Sequence, residues 1–141
     1  MRNTVLILLI LTLFACGGQP GTKATKTPVN TEKTTIKFEE ETHSFGKLTA
    51  GEIVLFTFEF TNTGTTDYRI ESVHSDCGCV KTYYTKEPVK PGKTGIIELE
   101  FDTSGLVGRE YKTIEVSGNS TELKHLAIFA EVKNEFLDIK Y

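Results

Sequence analysis

Two cysteines one residue apart, Cys77-Gly78-Cys79, are the constellation in this 141-residue chain best suited to chemistry. In a flat strand, residues i and i+2 share a face about 6.6–6.8 Å apart, whereas a disulfide brings its Cβ atoms to about 3.8 Å. A bridge therefore needs the chain to turn at Gly78, which glycine permits. A bridge closing so short a loop would be easily reduced, giving a redox reading. Two thiolates at this spacing could instead bind a soft ion, Cu(I) or Zn(II), with Cys77 and Cys79 as ligands. His74 is the nearest third ligand, although alternation along a regular strand turns it to the other face. The third reading is structural, as buried thiols or a local clip. C-x-C alone is a weak motif, so the structural reading leads, with metal and redox chemistry as alternatives.

Other residue groups carry less. His43 beside Phe45 could ligate a metal, but a histidine hydrogen-bonded at a strand crossing is the simpler reading, and the same holds for His125. His74-Ser75-Asp76 contains the letters of a hydrolytic triad, yet neighbours on a strand face opposite ways and cannot relay a proton. Gly92-Lys93-Thr94 resembles the end of a phosphate-binding loop, but Glu87 occupies the place of the earlier glycine and no helical pattern follows. Glu39-Glu40-Glu41 has no apolar pocket to raise a carboxyl pKa, so it reads as a solvated strand end. Asn119-Ser120-Thr121 is a glycosylation sequon by letters alone.

The elements that must position these residues are strands. Residues 53–64, IVLFTFEFTNTG, place Val54, Phe56, Phe58 and Phe60 on one side and Thr57, Glu59 and Thr61 on the other. That is the period of a strand with one buried face. Each Phe can bury about 150–250 Å², so such a face requires a second sheet packed about 10 Å away. Ile36 and Phe38 alternate likewise, and residues 42–46 form a short segment ending in glycine. Ile70 and Val73 fall out of phase in the next segment, which predicts a bulge or twist. Residues 80–85, Ile97/Leu99/Phe101, Ile114/Val116 and Leu126/Ile128/Ala130/Val132 supply further strands, and the tail 135–141 is a possible extension of the last. Pro91-Gly92 is a strong turn signal. Seven or eight short strands with turns between them predict an all-β, immunoglobulin-like antiparallel sandwich over residues 34–141, with a small barrel as the alternative.

Residues 1–33 read differently. A short basic start is followed by an apolar run over residues 5–14, too short to span a bilayer but suited to a signal-peptide core. It ends in Leu13-Phe14-Ala15-Cys16, which resembles the bacterial lipobox; Phe14 is bulkier than the usual residue there. That resemblance implies a signal peptide over 1–15 and acyl chains, palmitate among them, on Cys16. Residues 16–33 are rich in Gly, Pro, Thr and Lys and cannot bury enough surface to order themselves, so they predict a flexible tether. As a coil this tether would average about 23 Å end to end. Net charge is −3 at pH 7 without a basic patch, which argues against a nucleic-acid partner.

From Phe38 to Val132 the chain resembles the bacterial family called domain of unknown function 1573. The pattern is carried by Thr42-His43-Ser44-Phe45-Gly46, Gly51-Glu52, Phe58-Glu59-Phe60-Thr61-Asn62-Thr63-Gly64, Ser75-Asp76-Cys77-Gly78-Cys79, Pro88-Val89-Lys90-Pro91-Gly92 and Phe101-Asp102-Thr103-Ser104-Gly105. Val80 departs from it, since Thr usually follows the second Cys. The resemblance implies an Ig-like fold related to hydin and major-sperm-protein modules, common in secreted or lipid-anchored proteins of Bacteroidetes-type bacteria. It implies no established activity.

Together these readings predict a membrane-anchored envelope lipoprotein facing the periplasm. It would act as a structural or interaction module for an unknown envelope protein, not as an enzyme, and without a cofactor unless Cu or Zn sits on the cysteine pair. The candidate interaction, redox or metal face comprises His43, His74, Cys77 and Cys79, together with the loop 88–92. Cys16→Ser should leave the domain folded but release it from membranes. Fractionation that still finds the variant in the membrane pellet would contradict lipid attachment at Cys16.

Overall fold

The computed structural model describes residues 32–134. The signal segment, Cys16, nearly all of the tether and the tail 135–141 lie outside the described residues. The described chain folds into eight strands, β1 Ile36–Phe38, β2 Thr42–Thr49, β3 Ile53–Asn62, β4 Ile70–Ser75, β5 Val80–Tyr84, β6 Thr94–Asp102, β7 Gly108–Gly118 and β8 Lys124–Lys133. They form two four-stranded sheets, ordered β1-β3-β6-β5 and β2-β8-β7-β4. This is the expected sandwich, and the barrel alternative falls because the two sheets remain separate.

Strand β3 anchors the first sheet. It pairs antiparallel with β6 along its length, from Ile53 opposite Asp102 to Thr61 opposite Thr94. Phe58 and Phe60 have no exposed surface, and neither do Ile97, Leu99 and Phe101 across from them. The second sheet answers with Ile114, Val116, Leu126 and Ile128, all at most 1% exposed. The outward residues of β3 at its start, Ile53 and Leu55, are exposed, as alternation requires.

The second sheet departs from the expected all-antiparallel arrangement. The chain leaves β1, crosses to the other sheet through residues 39–41, and lays β2 parallel to β8, with a register shift between Ser44 and Gly46. Gly46 there has φ 72°, a left-handed conformation that favours glycine. The segment read as residues 42–46 therefore continues to Thr49, since the glycine marks a bulge and not an end. Likewise β4 shifts register between Ile70 and Ser72, which accounts for its broken alternation.

Buried side-chain amides fix one end of the sandwich. Asn62, fully buried, donates from Nδ2 to the carbonyls of Thr66 and Val89, both at 2.8 Å. Its Oδ1 accepts from the Thr34 hydroxyl at 3.0 Å and from Gly64 N–H at 3.1 Å. Asn119 donates to the Glu32 and Asp67 carbonyls and accepts from Arg69 N–H. At the opposite end the buried Thr103 hydroxyl bonds the Thr49 and Glu52 carbonyls at 3.0 and 2.8 Å. Loop backbone that enters the protein is thereby satisfied, as buried polar groups must be.

Phe58→Ala should cost about 3–5 kcal/mol, the range for emptying a fully buried Phe site. Glu59→Ala, on the other face of the same strand, should change stability by less than about 0.5 kcal/mol. Urea unfolding curves for both variants check this, and equal losses would contradict the assignment of inward and outward faces.

Candidate functional site

The cysteine pair lies where the chain passes from one sheet to the other, between edge strand β4 and edge strand β5. Cys77 and Cys79 are joined by a disulfide, with their Cα atoms 5.1 Å apart. The chain does turn there: Val80 N–H donates to the Cys77 carbonyl at 3.2 Å. Gly78 is not among the glycines with positive φ, and a Cβ on it would meet open space, so the turn does not depend on glycine. Cys79 N–H donates to Cys77 Sγ at 3.1 Å, and Cys77 N–H donates to Ser75 Oγ at 3.3 Å. Both cysteines are half-buried, but Cys79 packs against the hydrophobic core while Cys77 lies outside it.

Asp76 ties this loop to the second sheet. Its Oδ2 accepts from the Thr113 hydroxyl at 2.7 Å and from Thr113 N–H at 3.0 Å. The bond from the Thr113 hydroxyl, aided by Thr113 N–H and the Lys112 ammonium, holds the Asp76 carboxyl below its ordinary range against a smaller opposing effect of burial. On the first sheet, Asp102 N–H donates to the Cys79 carbonyl at 2.9 Å.

The other residues of the expected face are scattered. His43 sits on β2, at the opposite edge of the second sheet from β4. Three strand spacings of about 4.8 Å therefore separate it from the cysteine side, or about 14 Å. Its ring stacks on Phe56 with centroids 3.5 Å apart and meets Phe45 edge-on at 4.8 Å, closing that flank of the core. Its Nδ1 lies 4.0 Å from Glu40 Oε2. His74 points outward from β4 opposite Glu115, which in turn faces His125, so all three share the outer face of the second sheet. Among the described residues no three His, Cys, Asp or Glu side chains converge in a group that could hold a metal ion, and both sulfurs of the pair are bonded to each other.

The loop 88–92 belongs to the far end. Gly92 N–H donates to the Asn62 carbonyl, whereas the cysteine end lies beside Ile53, about 30 Å away along the ten residues of β3. Lys93 N–H donates to the Lys90 carbonyl at 3.0 Å around Pro91-Gly92, with φ 73° at Gly92. That is a type II turn leading into a strand, not a phosphate cradle. Asn119 is 7% exposed and fully engaged, so the sequon is a structural asparagine.

Strand pairing also assembles a surface that the sequence reading missed. On the outer face of the second sheet, Ser44, Phe129 and Tyr111 fall in one cross-strand row. Lys47, Glu131 and Arg109 form the next row. Tyr111 is 59% and Phe129 36% exposed, and their rings stack with centroids 5.7 Å apart. With Gly46 offering no side chain, these residues line a shallow groove of about 420 Å³. Alternation places Tyr111 and Phe129 outward, but only the β7–β8 register makes them neighbours.

Two four-stranded sheets of this order, with β1 in one and β2 in the other, define an immunoglobulin-like β-sandwich. The chain belongs to the family described as protein of unknown function (DUF1573), whose pattern matches residues 36–132. It is similar in structure to a protein of unknown function from Porphyromonas gingivalis W83, with TM-score 0.64 and 18% identity over 72% of this chain and 48% of that one. The chain thus spans about half of that protein's length. It is also similar to the ASH/PapD-like domain 7 of human CEP192, with TM-score 0.61 and 12% identity over 72% of this chain and 87% of that one. The YadV chaperone gives TM-score 0.54 and 10% identity, over 71% of this chain and 53% of that one. At these identities the likeness concerns the fold. No curated protein matches the chain.

Because the folded Asp76 carboxyl titrates below its unfolded value of about 3.9, its contribution to stability is present above that pH and is lost as pH falls through the folded pKa. Asp76→Asn should therefore lower the melting temperature slightly at neutral pH, with the gap closing in acid. Melting curves from pH 2 to 7, a range chosen to bracket carboxylate titration, check this. A gap independent of pH would contradict the role given to the charge.

Proposed function

We propose that the chain is a lipid-anchored interaction module of the bacterial cell envelope, held at the membrane by acyl chains on Cys16 and facing the periplasm. The tether lifts the sandwich off the bilayer without fixing its orientation, so the domain samples partners within reach of the surface. Its principal role is binding, which needs no cofactor.

The observation that carries this reading is the groove around Tyr111 and Phe129. Exposed aromatic pairs mark protein contact sites, because such side chains bring large area at low entropic cost and dominate interface energetics. The Lys47–Glu131–Arg109 row alongside supplies charges of both signs to set register on a partner. The PapD-like fold supports the same reading, since antiparallel sandwiches recognise proteins through faces, edges and end loops.

A photo-crosslinking amino acid at position 111, in cells expressing the full chain, should give one discrete adduct with an envelope protein. The same probe at Lys37, exposed on the first sheet, should not. Phe129→Ala should abolish the adduct while leaving the fold intact, because its side chain is already partly in water. Equal labelling from both positions, or none from position 111, would refute the assignment.

A further inference from the structure

We propose that Cys77–Cys79 is a thiol–disulfide exchange centre in which Cys77 is the sulfur attacked and Cys79 the sulfur released. The observation is the asymmetry of the pair. Cys79 packs into the core, while Cys77 lies outside it in a loop at the sheet edges. Only Cys77 Sγ receives a backbone donor, from Cys79 N–H at 3.1 Å. Once the bond opens, a backbone donor aimed at sulfur is placed to hydrogen-bond a thiolate there. The pair is thus asymmetric: one sulfur lies off the core and faces a backbone donor, while its partner packs against the core, a division of labour suited to exchange.

The surroundings allow the bond to open without unfolding. The bridge joins residues two apart, so it encloses almost no chain and adds little to the unfolded-state constraint. The loop is held separately on both sides by Asp76 to Thr113 and by Asp102 N–H to the Cys79 carbonyl. Neither anchor involves a sulfur atom.

The co-reactant is a dithiol, or two monothiols in succession. A thiolate attacks Cys77 Sγ, the Cys77–Cys79 bond breaks, and its electron pair leaves on Cys79 Sγ, which takes a proton from water. The second thiolate then attacks the co-reactant's sulfur in the mixed disulfide, and Cys77 departs as the thiolate facing Cys79 N–H. The co-reactant is oxidised to a disulfide and the pair is reduced by two electrons. In reverse, the Cys77 thiolate attacks a partner's disulfide and Cys79 resolves the adduct.

Peptide-resolved differential alkylation of the native full chain in glutathione buffers tests this, because it reads Cys77 and Cys79 separately from Cys16. The disulfide should come to equilibrium with the buffer while far-UV circular dichroism stays unchanged. Glutathione trapped on the wild-type chain at limiting reductant should sit on Cys77. Cys77 in the Cys79→Ser variant should alkylate at least about tenfold faster than Cys79 in Cys77→Ser, as expected for a thiolate stabilised by a donor. If either variant fails to fold, the adduct position on the wild-type chain decides. A bridge that yields only after denaturation, or an adduct on Cys79, would overturn the proposal.

Discussion

The structure depends on the inward row of phenylalanines on β3. Phe58 and Phe60 lie against Ile97, Leu99 and Phe101 within their own sheet, and the second sheet closes over them with Ile114, Val116, Leu126 and Ile128. Neither sheet could keep its apolar face out of water alone, so the sandwich is the way to bury both. The aromatic contacts continue to the margins. Tyr68 meets Phe60 edge-on at one end, and Phe45 and His43 cover Phe56 at the β2 flank. Once that core exists, the outer faces and connecting loops are free to carry other tasks.

The cysteine pair gains its meaning from this division. A small domain with a thin core would need a disulfide as a staple. Here the core is continuous, the ends are fixed by Asn62, Asn119 and Thr103, and the bridge spans a single residue. It lies between two edge strands, with Cys79 packed against the core and Cys77 outside it. The aromatic groove on the second sheet is likewise surplus to folding, since Tyr111 and Phe129 project away from the core.

Much of this fold is legible in the chain itself. Alternation in β3, β6 and β8 fixes the inward residues, because a one-residue slip would expose every one of them. The parallel placement of β2 is not legible, since nothing local to residues 42–49 says which sheet they join after crossing from β1. Gly46 reads as an end when it is a bulge. The candidate site is less legible still. His43 and the cysteines come close in a list of unusual residues but lie on opposite edges, because edge position follows from strand order and not from residue type. Tyr111 and Phe129 meet across two strands whose register the sequence does not state. For Cys77 and Cys79 the sequence leaves structural, metal and redox readings open, whereas in the fold the turn between Cys77 and Val80 joins the two sulfurs.

The central claim is that the core holds the fold while the cysteine bridge is free to open. Native-state hydrogen exchange on the full chain, with the bridge intact and after reduction, measures this most directly. The account predicts that amides in β3, β6 and β8 keep their protection, with faster exchange confined to the loop between β4 and β5 and its anchors at Asp102 and Thr113. Loss of protection throughout β3 and β6 on reduction would contradict it.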